Sequence, residues 1–198
     1  MIDTRSRTTS EAEIRTALHR NRLRYHRSQP DTLIVNELGL AHALGRVDVA
    51  VVNGLIHGYE IKSSRDNLAR LENQLSIYEK SLQKLTIVSD SKHLPRVLVG
   101  VPDWCGVIEA KKGPRGGIRF RPQQSARLNP DVDPFMLAHL LWKREVEQLL
   151  LGIGYSPSEL RHPRKRLYEM LCEVYSLRQL TKAIRYFMVG RPEWRGHR

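Results

Sequence analysis

Cysteine is nearly missing from this chain: Cys105 and Cys172 are two thiols in 198 residues. They lie far apart, without Cys-x-x-Cys spacing, which excludes a disulfide framework and a thiolate zinc site and suits a reducing cytoplasm. Long apolar runs are missing too, so no span across a bilayer and no membrane partner are expected. The opening Met1-Ile2-Asp3-Thr4-Arg5 has none of the apolar core of a signal peptide. Acid is the minority charge, 21 Asp plus Glu against 33 Lys plus Arg, for a formal net charge of +12. Such an excess goes beyond what solubility requires and points to a polyanion, nucleic acid before an acidic membrane surface. The chain shows no internal repeat, and its length allows one good core with a small helical module appended.

What is present centres on Arg46 to Lys62. Two apolar-rich runs flank Asn53-Gly54, a dipeptide that favours positive φ and marks a β-hairpin. Side chains alternate along strands. Odd positions give Val47, Val49, Val51, Leu55, Tyr59 and Ile61, a face suited to a core. Even positions give Arg46, Asp48, Ala50, Gly58, Glu60 and Lys62, so the charges share the other face, where small residues leave room for a ligand. Two carboxylates and an amine on a buried hairpin are costly unless they hold something, and a hard divalent cation is the expected partner. A strict two-residue turn would set Asp48 beside Tyr59 and point Glu60 away. A three-residue loop Val52-Asn53-Gly54, or another odd loop or bulge, brings Asp48 and Glu60 together.

An acid on one strand followed by Glu60-Ile61-Lys62 on the next resembles the signature of the PD-(D/E)XK nuclease superfamily, with Val47 standing where the superfamily name has proline. Glu37 matches the additional acid that many members carry before the hairpin. Gln74-Leu75-Ser76-Ile77-Tyr78 resembles the Gln-x-x-x-Tyr helix of the RecB-like branch. From Val35 to about Val107 the chain also resembles a small bacterial and phage family of nuclease-like proteins. The resemblance implies a restriction-endonuclease-like α/β core of order αβββαβ, its mixed sheet flanked by helices. It implies Mg²⁺ or Mn²⁺ held by Asp48, Glu60 and the Ile61 carbonyl, with Glu37 assisting. Lys62 would orient the attacking water, and Gln74 and Tyr78 would brace the site or touch the substrate phosphate.

Around the hairpin, Ser10 and Glu13 form a capping box for a first helix with Ile14 and Leu18 on its apolar stripe and Arg15, Arg20, Arg22, Arg24 and Arg27 along it. Ser28-Gln29-Pro30 breaks it, and Thr32 to Glu37 predicts a strand. His42, in the connection that follows, reads as structural. Leu68, Leu71, Leu75, Tyr78 and Leu82 predict a helix facing the sheet. Strands are expected at Leu85–Ser89, Trp104–Ala110 and, as an edge, Ile118–Arg121, with a short helix over Lys92–Val99. Lys111, Lys112, Arg115, Arg119 and Arg121, with Arg46, are the expected nucleic-acid contacts. Phe120 either packs or stacks on a base. Asp133-Pro134 opens a helical region with two later helices from about Pro163 and Ser176, a pair that would also suit a helix-turn-helix.

The expected organisation is a nuclease-like core over 1–130, a helical subdomain over 131–190 and a basic tail over 191–198. The expected activity is metal-dependent hydrolysis of DNA, in repair or phage defence, with RNA as an alternative substrate and a homodimer open. The rival readings are a DNA-binding module without turnover and a transcription regulator using the C-terminal helices.

Overall fold

The computed structural model describes residues 8–192. Residues 1–7 and the basic tail from 193 onward lie outside the described residues. Ser10 caps α1 (Glu11–Ala17) through the expected box with Glu13. The helix continues as a π-helical turn, Leu18–Arg22, and ends in the short α2 (Arg24–Arg27). Then come β1 (Leu33–Leu40), β2 (Gly45–Val52), β3 (Ile56–Lys62), α3 (Leu71–Ser81), β4 (Lys84–Asp90), α4 (Leu94–Gly100), β5 (Gly106–Lys112) and β6 (Ile118–Gln124). The helices α5 (Pro134–Ala138), α6 (Lys143–Gly152), α7 (Arg164–Val174) and α8 (Leu177–Gly190) complete the chain.

Among the described residues six strands form one mixed sheet in the order β1-β2-β3-β4-β5-β6. β1, β2 and β3 are antiparallel, β3, β4 and β5 parallel, and β6 returns antiparallel. The parallel step from β3 to β4 needs a crossover, and α3 supplies it. The expected αβββαβ order and C-terminal helices are therefore present. No helix of the described residues is long and apolar enough to cross a membrane.

Helices cover both faces. Ile14, Leu18 and Leu23 pack on Val49, Val51, Tyr59, Ile61 and Val88. On the opposite face Tyr78, Leu82, Leu137, Leu167 and Ile184 join Val35, Ala50, Val52, Leu85 and Ile87 in one cluster. This double covering corrects the expectation of an open even face: a Cβ on Gly58 would lie 2.5 Å from Leu82 Cδ1, so the space that small residues leave is taken by packing. It also corrects the place of Val47, which packs with Ala50 and Val52 rather than with Val49 and Val51.

The alternation breaks where the β1–β2 ladder is interrupted. Asn36 pairs Val49 and Leu38 pairs Val47, but Glu37 between them sits at φ 57. A non-glycine residue in the left-handed region carries about 1–3 kcal/mol of strain. A second left-handed stretch, Ala41, His42 and Ala43 at φ 51, 54 and 69, turns β1 into β2. His42 stacks there on His139, ring centroids 3.9 Å apart, and ties the turn to the end of α5.

The single helix expected after Asp133 is two, divided where the Trp142 N–H donates to Glu145 at 2.7 Å and starts α6. Arg191 closes the helical layer. Its guanidinium is buried, donates to Glu145 from Nε at 2.9 Å and to the Leu140 carbonyl at 2.7 Å, and lies over the Trp142 ring.

Packing at the start of β5 gives a stability test. A Cβ at Gly106 would stand 2.9 Å from the backbone nitrogen of Ala126, whereas nothing lies within 4 Å of one at Gly39. Gly106→Ala should lower unfolding free energy in urea titrations by about 1–3 kcal/mol, and Gly39→Ala should change it little. Equal effects would show that β5 tolerates the added volume.

Candidate active site

The site forms where β2 leaves β3. Their ladder pairs Val52 with Ile56 and ends at Val49 with Tyr59. The loop is thus Asn53-Gly54-Leu55, with Gly54 at φ 113, one residue later than the expected Val52-Asn53-Gly54. The loop is still odd, which sets Asp48 opposite Glu60 in register, but the broken alternation at Val47 turns Asp48 toward α1 while Glu60 faces α3. Beyond Val49, Asp48 replaces the ladder: its Oδ2 accepts the Ile61 N–H at 2.6 Å. A backbone donor that the diverging strand leaves unpaired is thereby satisfied.

Glu60 and Lys62, both buried, point toward α3. Lys62 Nζ donates to Glu60 Oε1 at 2.8 Å and to Gln74 Oε1 at 2.7 Å, and Gln74 Nε2 donates to the same Glu60 oxygen at 2.8 Å. The Tyr78 hydroxyl lies 2.7 Å from both Glu60 Oε2 and the Arg46 carbonyl, with one proton to donate between them. Burial, then the Glu60 charge, raises the Tyr78 hydroxyl pKa, keeping it a donor. Gln74 and Tyr78, one helical turn apart, hold both oxygens of Glu60 and with Lys62 fix its side chain.

On the other side of Asp48 stands α1. Carboxylate oxygens of Glu11, Glu37 and Asp48 lie within 4.8 Å of one another. Arg15 reaches into this triad, paired with Glu11 and Glu37 and 3.5 Å from Asp48 Oδ1. Arg46 Nε takes the second Glu37 oxygen at 2.6 Å. A triad of oxygen donors does not by itself demand an ion, since Arg15 already supplies counter-charge. Glu60 is outside the triad, yet near enough to act on Asp48. Burial and then the Glu60 charge push Asp48 up to about 7, against the Ile61 N–H and Arg15, which hold it down.

The sequence reading expected Asp48, Glu60, Lys62, Glu37, Gln74 and Tyr78 in one site. The structure places Glu60, Lys62, Gln74 and Tyr78 in one network toward α3, and Asp48 and Glu37 in a second cluster with Arg15 and Glu11 toward α1. The sequence reading missed Glu11, and it counted Arg15 merely among the basic residues of α1. The available signal was their i, i+4 spacing directly after the Ser10 cap, which sets both on one helix face.

The basic set is more dispersed. Lys112 is no free cation, because Nζ pairs with Glu13 at 2.6 Å and donates to the Thr8 carbonyl at 3.3 Å. Arg46 is tied to Glu37. Lys111, Arg115, Arg119 and Arg121 are exposed. Lys111 and Arg119 are cross-strand partners, and like charges so placed repel unless an anion sits over them. Phe120 turns inward and packs with the cluster beneath α1, so it is not a stacking platform.

The family model described as bacteriophage P4 protein cII matches residues 4–193. This chain belongs to the bacteriophage P4 protein cII family. Protein cII of Enterobacteria phage P4 is 32% identical over 154 residues, 78% of this chain and 57% of that protein. The match to this cII relative thus spans little more than half its length. No solved structure gives a significant match. The cII names specify no activity, so function rests on the geometry.

The raised Asp48 pKa predicts a pH dependence. A folded-state pKa above the unfolded one stabilises the fold below pH 3.8, and that contribution fades as pH rises through about 7. In chelator, thermal melts of wild type and Asp48→Asn should converge near the acidic end of this window, with the variant more stable above it. A constant difference across the window would mean that Asp48 titrates normally.

Proposed function

We propose that this chain is a metal-dependent nuclease whose catalytic residues are Asp48, Glu60 and Lys62, the arrangement that resembles the PD-(D/E)XK superfamily. The observation that carries the reading is the buried Lys62–Glu60–Gln74 network beside a carboxylate that already ends a strand ladder. Structural ion pairs rarely need a third polar group and a tyrosine on the same acid, and burying such a network is costly unless it has a use.

The donor set fits a hard divalent cation: Asp48, Glu37 and Glu11 offer neighbouring oxygens, Glu60 stands behind Asp48, and the cluster draws a cationic side chain into its centre. Mg²⁺ or Mn²⁺ held by Asp48, Glu60, Glu37 and the Ile61 carbonyl would neutralise phosphate charge and acidify a water. Lys62, clamped by Glu60 and Gln74, keeps one ammonium proton for a water or a phosphate oxygen. Gln74 and Tyr78 orient Glu60. Arg15 must give way for a cation to enter the triad, and its released guanidinium is then free to take a substrate phosphate. The exposed Lys111, Arg115, Arg119 and Arg121 would hold the nucleic-acid backbone without reading sequence.

One observation favours a second reading, a DNA-binding module without turnover: Arg15 already balances the triad, so the fold does not depend on a metal. Incubating plasmid and linear DNA with Mg²⁺, with Mn²⁺ and with chelator separates the two. Wild type should cut only with metal. Glu60→Gln and Lys62→Ala should lose cleavage by at least about a hundredfold while still binding DNA. Replacing Lys111, Arg119 and Arg121 by alanine should do the reverse, weakening binding and flattening its dependence on salt. Cleavage by the Glu60 and Lys62 variants at the wild-type rate would leave only the binding reading.

A further inference from the structure

At the end of β3 away from Lys62, a cavity of about 400 Å³ opens between the π-helical turn, β3, β4 and the segment after β6. His57 at its floor and Lys62 are five residues apart, roughly 16 Å along a strand, so the cavity is separate from the acidic cluster. Its volume is that of a small-molecule site.

The lining has a definite chemistry. The His57 and Tyr59 rings stack, centroids 4.4 Å apart and planes 25° from parallel. His57 Nε2 lies 2.9 Å from Thr86 Oγ1, and burial, with Lys84 and His26 nearby, pushes the imidazole down to about 3. The ring is therefore neutral near pH 7. Gln124 commits its Nε2 to the Cys105 carbonyl at 2.7 Å, which leaves its Oε1 as an acceptor. Arg22 and Lys84 also line the cavity, no carboxylate does, and neither cation pairs with an acid among the described residues. Unpaired cations beside flat, neutral, hydrogen-bonding rings suit a planar heterocycle that carries a phosphate.

We propose that this cavity binds one nucleotide, its base against the His57–Tyr59 pair and its phosphate at Arg22 and Lys84. Asn21 lines both this cavity and a shallower groove between α1 and the Gly116-Gly117 turn, where Arg20 also stands. A bound single strand lying in that groove would deliver a nucleotide to the cavity, and a free nucleotide would use the same contacts. The assignment does not rest on the catalytic reading, since none of Asp48, Glu60 and Lys62 takes part.

Calorimetric titration of the full chain in chelator tests it without any contribution from cleavage. The probes are the individual deoxynucleoside monophosphates, a short single-stranded oligodeoxynucleotide and inorganic phosphate. Saturable one-to-one nucleotide binding, about tenfold or more tighter than inorganic phosphate, is the expected result. Arg22→Ala combined with Lys84→Ala, both away from the buried core, should weaken it about tenfold or more with an unchanged melting curve. Arg178→Ala with Lys182→Ala, the same charge removed from the exposed side of α8, should not. If the oligonucleotide binds more tightly than the monophosphates and is lost in the same variant, the occupant is a strand nucleotide. If the monophosphates bind at least as tightly, it is a free nucleotide. Absent saturable binding, inorganic phosphate binding as tightly as nucleotide, or equal losses in the two double variants would each overturn the proposal.

Discussion

The Ile61 N–H is the constraint from which the site follows. Where β2 diverges from β3 this donor loses its ladder partner, and a buried unpaired amide costs about 1–3 kcal/mol. Asp48 accepts it at 2.6 Å, which anchors a carboxylate at the fork between two strands. The left-handed Glu37 on β1 stands where the ladder would pair it with Asp48, so the same bend places a second acid beside the first. Glu60 and Lys62, flanking Ile61 on β3, then necessarily turn toward α3. Backbone geometry thus sets four charged groups around one residue.

Electrostatics decides which of those charges the fold tolerates. Lys62 offsets Glu60 within the buried layer, where an unpaired charge would be costly, and Gln74 and Tyr78 each donate one further hydrogen bond to the same carboxylate. Asp48 has no such dedicated cation, and burial beside Glu60 raises its pKa to about 7. Arg15 from α1 is the nearest compensation, shared with Glu11 and Glu37. Shared compensation at a half-open cluster suits a place where one cation is exchanged for another. A purely structural ion pair would instead be closed and fully matched, as Arg191 and Glu145 are in the helical layer.

Much of this was legible in the sequence because it depends on local rules. The shared parity of Glu60 and Lys62 and the four-residue spacing of Gln74 and Tyr78 suffice to bring that acid and amine together with their braces, and the odd loop signalled by Asn53-Gly54 sets Asp48 opposite Glu60 in register. The illegible parts are those set by distant packing. Nothing local to Glu37 announces a left-handed φ, and nothing in the hairpin's own pattern announces that Val47 lies on the other face from Val49. The approach of Arg15 to Asp48 depends on how α1 lies across the sheet, through Ile14 and Leu18. For the same reason Lys112 looked like a free cation until the fold placed Glu13 beside it. The small residues Ala50 and Gly58 were read as room for a ligand because the packing of α3 and β4 against them is invisible in the hairpin's own sequence.

The central claim is that the Asp48–Glu60 cluster takes a divalent cation in exchange for Arg15. Crystals of the protein grown with Mn²⁺ and measured for anomalous scattering test it directly. The account predicts an anomalous peak in contact with the Asp48 carboxylate, with the Arg15 guanidinium withdrawn from the triad. Crystals with no such peak, and with Arg15 still bound to Glu37, would contradict it.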